Sequence, residues 1–193
     1  AYRIAIVLPA YNEERRIEET LRGLPAYLRH IIVVDDCSRD RTSDVVQQLA
    51  DSDPRIELIR HERNQGVGGA MITGLTRARD LQAQIVVKMD GDGQMSPADL
   101  PALLRPLIAG QADFAKGNRF HDFLALAQMP ALRRAGNMGL SFLTKGAVGY
   151  WNIADPCNGY VAIRGEVLAA LPLNALQKSY FFETSLLAQL FLL

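Results

Sequence analysis

Residues 85–94 read Ile85-Val86-Val87-Lys88-Met89-Asp90-Gly91-Asp92-Gly93-Gln94. A short, mostly apolar run of this length reads as a strand buried on both faces. It stops at two carboxylates separated by one small residue, on what must be a tight turn. Upstream the same arrangement repeats. Ile4 to Leu8 is an apolar run ended by Pro9, Ile31 to Val34 is one ended by Asp35-Asp36, and Ile56 to Ile59 is a third. Between them lie helical patterns. Asn12 is placed to cap a helix carrying Ile17, Leu21 and Leu24; Val45, Val46 and Leu49 line a second; Gly66 to Ala78 is a third. Ser96-Pro97-Ala98-Asp99 has a capping serine, proline at the first helical position and a carboxylate three residues after the cap, so a fourth helix starts there. Four strand–helix units predict an α/β fold with a mostly parallel sheet flanked by helices.

After about residue 110 the rhythm breaks. Ala112 to Ala115 and Gly159 to Ile163 read as strands, separated by a partly amphipathic stretch around Ala131 to Val148. At 193 residues the chain suits one packed domain. Residues 1–110 hold the regular strand–helix units and 111–193 the half in which that rhythm breaks. Ala1 leads almost directly into a strand, and Phe191-Leu192-Leu193 ends inside an apolar helical pattern. The chain therefore reads as a fragment, with room for membrane helices beyond it.

Composition excludes several classes. The 21 basic and 21 acidic residues cancel, so no overall field holds the protein on nucleic acid. Cys37 and Cys157 lack zinc or disulfide spacing, which suits a reducing, cytosolic setting. No leader is apparent, and no run approaches the roughly 18 apolar residues of a spanning helix.

In an open α/β sheet, ligands gather beyond the carboxyl ends of the strands. The polar clusters fall there: Tyr11-Asn12-Glu13, Asp35-Asp36, Asn64 to Gly69, and Asp90-x-Asp92. Any one of these is compatible with ordinary turn chemistry; four at one edge point to a ligand. Asp90 and Asp92, as hard oxygen donors, suit Mg²⁺ or Mn²⁺, with diphosphate oxygens and waters completing an octahedron. Gln94 either orients a water or phosphate in that shell or faces solvent. The Asn64-Gln65-Gly66-Val67-Gly68-Gly69 segment opens a helix with glycines, which serve either close approach to a ligand or tight packing. It is not a dinucleotide fingerprint, because Met71 stands where the third glycine belongs, and no P-loop pattern occurs.

Taken in order, Pro9-Ala10-Tyr11-Asn12-Glu13, Val34-Asp35-Asp36-Cys37-Ser38 with Asp40 and Thr42, Asn64-x-Gly66, Asp90-x-Asp92-x-Gln94, Gly117-Asn118-Arg119 and Asp155-Pro156-Cys157-Asn158-Gly159-Tyr160 resemble the family 2 inverting glycosyltransferases. The resemblance is strongest to the polyprenyl-phosphate, dolichol-phosphate mannose synthase-like transferases. It implies a GT-A fold in which residues 1–110 are a Rossmann-like, nucleotide-sugar-binding half and 111–193 an acceptor-side half, and action at the cytoplasmic face of a membrane, the inner membrane if bacterial. It also implies that Pro9, Tyr11, Asn12, Glu13, Asp35, Asp36, Asn64, Gly66, Gly69 and Asp90 surround a UDP- or GDP-sugar. Asp90, Asp92 and Gln94 would hold Mg²⁺ or Mn²⁺. Arg119, Arg133 and Arg134 would bind the phosphate of a polyprenyl-phosphate acceptor, for which guanidinium forks are suited; surface charge is their other reading. The apolar residues between Phe120 and Leu143 fit a membrane interface or a core equally well.

Transfer breaks the bond between the anomeric carbon and a diphosphate oxygen, so charge develops on the leaving group, which a divalent cation answers. Attack from the opposite face inverts the anomeric centre. Asp90, Asp92, Asp155 and Glu183 are the catalytic candidates, Asp155 alternatively supporting the active-site loop. Related transferases often carry an acid two residues after the equivalent of Glu183, and this chain has Ser185 there. A missing base is tolerable when the acceptor is an ionised phosphate. A sugar-hydroxyl acceptor and a non-catalytic nucleotide-sugar-binding module are the competing readings.

Overall fold

The computed structural model describes residues 2–93, 95–118, 146, 155 and 158–193. The apolar runs become strands β1 (Ile4–Ala10), β2 (His30–Asp35), β3 (Ile56–Arg60) and β4 (Ile85–Lys88). Helices α1 (Ile17–Arg22), α2 (Thr42–Ser52), α3 (Gly66–Asp80) and α4 (Leu100–Ile108) follow them in turn. Strands β5 (Phe114–Lys116) and β6 (Val161–Arg164) precede helices α5 (Gly165–Ala170) and α6 (Phe182–Phe191).

All six strands join one sheet in the order β3-β2-β1-β4-β6-β5. Pairs β3–β2, β2–β1 and β1–β4 are parallel, whereas β6 runs antiparallel to both β4 and β5. The fold is therefore α/β with a mixed, mostly parallel sheet. Side chains alternate across each strand. Ile4, Ile6 and Leu8 pack with Ile31, Val33, Ile85 and Val87 beneath α1, α2 and α4. Ala5, Val7, Ile32, Val34 and Val86 face Met71 and Leu75 of α3 and Phe182 and Leu186 of α6. Gly74 lets α3 sit directly on the sheet, since a Cβ there would press on Val7 and Val34.

The chain runs outward from β1 through β2 to β3, then crosses under α3 to place β4 on the other side of β1. That reversal of strand order opens a crevice beyond the carboxyl ends of β1 and β4. Pro9-Ala10-Tyr11 and Asp90-Gly91-Asp92 are the segments that emerge there.

Several local expectations need correction. Asn12 does not cap α1: the helix begins at Ile17 with no side-chain cap, and Asn12 is left-handed at φ 57°. Its side chain is diverted to the loop after β2, accepting from the Arg39 N–H at 2.9 Å. Leu24 is buried but follows the end of α1. Ser96 does cap, accepting from the Ala98 N–H at 3.2 Å, but over a 3₁₀ turn (Pro97–Asp99) that precedes α4. Strand β5 starts later than its apolar run because the N–H groups of Gln111 and Ala112 close α4 on the Pro106 carbonyl. Strand β6 is likewise displaced, since the Asn158 side chain takes the Tyr160 N–H at 2.8 Å into a turn. The amphipathic stretch from Ala131 to Val148 lies outside the described residues, apart from Gly146.

Candidate active site

The loops after β1 and β2 are built against each other. Ser38 Oγ accepts from the Asn12 N–H at 2.9 Å, and Thr42 Oγ1 accepts from the Glu13 N–H at 2.8 Å. Asp40 receives both the N–H and the hydroxyl of Thr42, at 3.0 and 2.6 Å. Asp35 is fully buried, accepting from the Ser38 N–H at 3.0 Å and from the Ser43 hydroxyl. In this structure Asn12, Asp35, Asp40 and Thr42 are consequently occupied in shaping the turns that carry Tyr11, Glu13 and Asp36.

Asp36 spans to the next loop. One carboxylate oxygen meets His61 Nδ1 at 2.7 Å and accepts the Gln65 N–H at 2.8 Å; the other accepts the Gly66 N–H at 2.8 Å. Asn64 donates to the Asp36 carbonyl at 3.2 Å. His61 is buried, with its second ring nitrogen on Thr73 Oγ1 at 2.9 Å. The glycines of this loop accommodate backbone rather than leaving open space. Gly66 has φ +80°, and a Cβ on it would lie 2.6 Å from the Lys178 carbonyl oxygen. A Cβ on Gly68 would collide with the Gln177 carbonyl, and Gly69 donates its N–H to Lys178 O at 3.2 Å. The segment 177–179 is thus seated on the start of α3.

The Asp90–Gly93 turn is held from α1. Arg16 donates to the Asp92 carbonyl at 3.1 Å and Thr20 to the Gly91 carbonyl at 3.4 Å. Lys88, whose side chain is 4% exposed, ties the turn to α6: its Nζ lies 2.7 Å from Asp90 Oδ1 and 3.1 Å from Glu183 Oε1. Burial by itself pushes the Lys88 ammonium down, but the Asp90 and Glu183 carboxylates outweigh it and hold the group above the ordinary lysine value.

These loops enclose a cavity of about 770 Å³ at the strand-order reversal. Pro9 at the end of β1 and Tyr11 and Glu13 beyond it line the cavity, with Asp36 after β2, Asn64 ahead of α3 and Gly66 at the start of that helix. Lys88, Asp90 and Asp92 form the β4 wall, with Lys178, Ser179, Tyr180 and Glu183 opposite. Asn12, Asp35 and Gly69 do not line it. Asp155 is buried away from it, its carbonyl accepting the Asn158 N–H at 3.2 Å. Gln94, Arg119, Arg133 and Arg134 lie outside the described residues. Lys88 and Lys178 were missed in the sequence. For Lys88 a signal existed, since a lysine inside an otherwise apolar buried strand needs a partner.

Carboxylates accumulate around the β4 turn. Glu13 is held above the ordinary glutamate range by burial first, then by Asp92, with Asp40 and Asp90 adding and Arg16 opposing. Among the described residues no three acidic, histidine or cysteine side chains converge as a closed metal cage. A cation at a diphosphate site needs only one or two carboxylates, with phosphate oxygens and waters supplying the rest. Asp90 and Asp92 fit that donor set.

The sign of the Glu13 shift gives a test. Native Glu13 keeps its proton to higher pH than in the unfolded chain, so it favours the folded state at low pH. That contribution is lost as pH rises through the raised value. At neutral pH the ionised side chain is therefore a cost. Glu13→Gln is expected to raise the melting temperature of the metal-free protein at pH 7, with the gain vanishing below the ordinary glutamate range. A melting temperature lowered at pH 7 would contradict this.

The sequence profile of the family described as "Glycosyl transferase family 2" matches residues 5–171. The UDP-N-acetylglucosamine–dolichyl-phosphate N-acetylglucosaminyltransferase of Methanococcus voltae is 34% identical over 190 residues, covering 92% of this chain and 75% of that protein. The undecaprenyl-phosphate mannosyltransferase of Micrococcus luteus is 30% identical, covering 95% and 76%. The dolichol-phosphate mannosyltransferase of Pyrococcus furiosus is 30% identical, covering 89% and 49%. Among solved structures, glucosyl-3-phosphoglycerate synthase from Mycobacterium tuberculosis, in complex with Mn²⁺, UDP-glucose and phosphoglyceric acid, superposes with a TM-score of 0.71 at 23% identity, covering 95% of this chain and 63% of that one. That likeness establishes the fold. The chain thus spans between about half and three quarters of the length of these proteins. Its profile match, its relatives at 30% identity and above, and its sheet topology agree: the chain belongs to glycosyltransferase family 2 and is a sugar transferase of the GT-A fold.

Proposed function

We propose that this transferase moves a sugar from a UDP- or GDP-sugar to a polyprenyl phosphate, with inversion, at a membrane surface, in the synthesis of cell-envelope glycan or glycoprotein precursors. The observation that carries the reading is the cavity at the strand-order reversal, which gathers Tyr11, Asp36, Asp90, Asp92 and Glu183 around one space large enough for a nucleotide sugar. Tyr11 and Asp36 lie on the side suited to the nucleoside. Asp90 and Asp92, with Gln94 as a further ligand, would hold Mg²⁺ or Mn²⁺, which supplies positive charge against the departing diphosphate. The exposed Lys178 at the opposite wall adds a cation for phosphate oxygens.

In the reaction an acceptor phosphate oxygen attacks the anomeric carbon from the face opposite the diphosphate. The carbon–oxygen bond to the diphosphate breaks, and the nucleoside diphosphate leaves with the electron pair. No proton need be removed, because the acceptor phosphate is already ionised at neutral pH. Two features favour this over a hydroxyl acceptor. Ser185 is committed to backbone, accepting from the Gln177 N–H at 3.0 Å and donating to the Phe182 carbonyl at 2.9 Å. Glu183 is paired with buried Lys88. The relatives named for dolichyl and undecaprenyl phosphate point the same way. Arg119, Arg133 and Arg134 are the proposed acceptor-phosphate ligands, and Asp155 a support for the loop before β6. Among the described residues no helix is long and apolar enough to cross a membrane.

The test has two stages. UDP- and GDP-sugars are screened by thermal shift with and without Mn²⁺; the true donor raises the melting temperature, more so with the metal. Radiolabelled donor is then incubated with the intact protein and either undecaprenyl phosphate or an oligosaccharide. Label extracting with the lipid is the expected result. Label found only on the oligosaccharide would replace this reading with a hydroxyl acceptor.

A further inference from the structure

Lys88 is a buried ammonium in the wall of the site, and nothing in the transfer chemistry requires it to touch either substrate. By the side-chain alternation of β4 it shares the face of Val86, towards α3 and α6. Burying an ammonium in a sheet is costly unless it is fully paired. Here it contacts two carboxylates from separate elements: Asp90, two residues on in the chain, and Glu183 in the first turn of α6. Gly159, just before β6, leaves room for the arrangement. A Cβ on Gly159 would stand 2.5 Å from Lys88 Nζ and 2.9 Å from Asp90 Oδ2.

We propose that Lys88 is a positioning residue: anchored on Glu183 and given space by Gly159, it occupies Asp90 Oδ1 and so fixes Asp90 in the one orientation that presents Oδ2 for a divalent cation. This rests on the metal-dependent reading above. A salt-bridged lysine one step behind a ligating carboxylate is the kind of outer partner that sets ligand orientation. Its loss typically lowers metal affinity about ten- to a hundredfold. The inference differs from simple charge balance in sign. Were Lys88 only a counter-charge to Asp90, Asp92 and Glu13, removing it would leave a more negative site and tighten cation binding.

The experiment titrates Mn²⁺ in the presence of UDP or GDP, following free Mn²⁺ by electron paramagnetic resonance, on the wild type and on Lys88→Met, Gly159→Ala and Glu183→Gln, with thermal melts alongside. Lys88→Met is expected to weaken Mn²⁺ by about tenfold or more, and Glu183→Gln by a smaller factor in the same direction. Gly159→Ala keeps every charge and only displaces the pair, and it too should weaken Mn²⁺. It carries the test if Lys88→Met fails to fold. Unchanged or tighter Mn²⁺ binding in folded Lys88→Met, or unchanged binding in Gly159→Ala, overturns the proposal. If the wild type takes up no Mn²⁺ with either nucleotide, the metal-dependent reading falls, and this inference with it. A purely structural role for Lys88 would lower the melting temperature without moving the Mn²⁺ titration.

Discussion

Asp92→Asn is expected to abolish nearly all sugar transfer while leaving the fold intact. The substitution keeps the size of the side chain and one oxygen but removes the charge. The turn it sits on is held by other atoms: Arg16 binds the Asp92 carbonyl and Thr20 the Gly91 carbonyl, neither of which changes. Neutralising Asp92 also removes one of the charges that raise Glu13. The melting temperature should therefore stay level or rise slightly. Removing one electrostatic contact to a developing charge typically costs about a hundred- to a thousandfold in turnover, and a loss of that size should be accompanied by weaker Mn²⁺ uptake. Steady-state turnover across a Mn²⁺ series, with circular dichroism as the folding control, checks it. Full turnover in Asp92→Asn would remove this carboxylate from the chemistry, whereas a wild type that binds nucleotide sugar but never turns over would favour a binding cleft.

The second large effect falls on stability. Asp36→Ala should unfold at a much lower temperature than the wild type, because one carboxylate satisfies three buried or half-buried donors at once. His61 loses its partner at 2.7 Å, the Gln65 N–H is orphaned, and the Gly66 N–H keeps only its 3.1 Å bond to Asn64 Oδ1. Removing one member of a buried pair costs about 3–5 kcal/mol. For a chain of this size that corresponds to a drop of roughly 6–20 °C. Asp36→Asn retains one accepting oxygen and should lose less, since its amide can serve either His61 or the Gly66 N–H but not all three donors. The graded order of wild type, Asn and Ala in differential scanning calorimetry distinguishes this network from a residue that serves only the nucleoside. Equal melting temperatures would refute it. Nucleotide binding should fall in both variants, because the same carboxylate fixes the Asn64–Gly66 wall of the cavity.

Much of this architecture was legible from local pattern. The runs Ile4–Leu8, Ile31–Val34 and Ile85–Val87 are buried strands because a sheet covered on both faces has no solvent side to encode, and Ile56–Ile59 is the half-buried strand at the sheet edge. The carboxylates placed after them mark the edge where the loops gather. Residue roles were harder to read. Asn12 has the chemistry of a helix cap, but a left-handed backbone turns it towards Arg39, a residue brought close only by the pairing of β1 with β2. The glycines after Asn64 suggested a ligand cradle or helix packing, yet what Gly66 and Gly68 admit is the backbone of 177–178, over a hundred residues away.

The alternation of strands and helices, the order of the motifs and the family they mark are written along the chain, because apolar periodicity and turn chemistry act between near neighbours. Tertiary structure decided which polar groups share a space. The return of the chain through β6 sets Gly159 beside Lys88, and α6 brings Glu183 to it across a separation of 95 residues. A salt bridge carries no periodicity, and its energy depends on distance and burial that exist only once the sheet is assembled. The lysine was visible in the strand, but its partners were not.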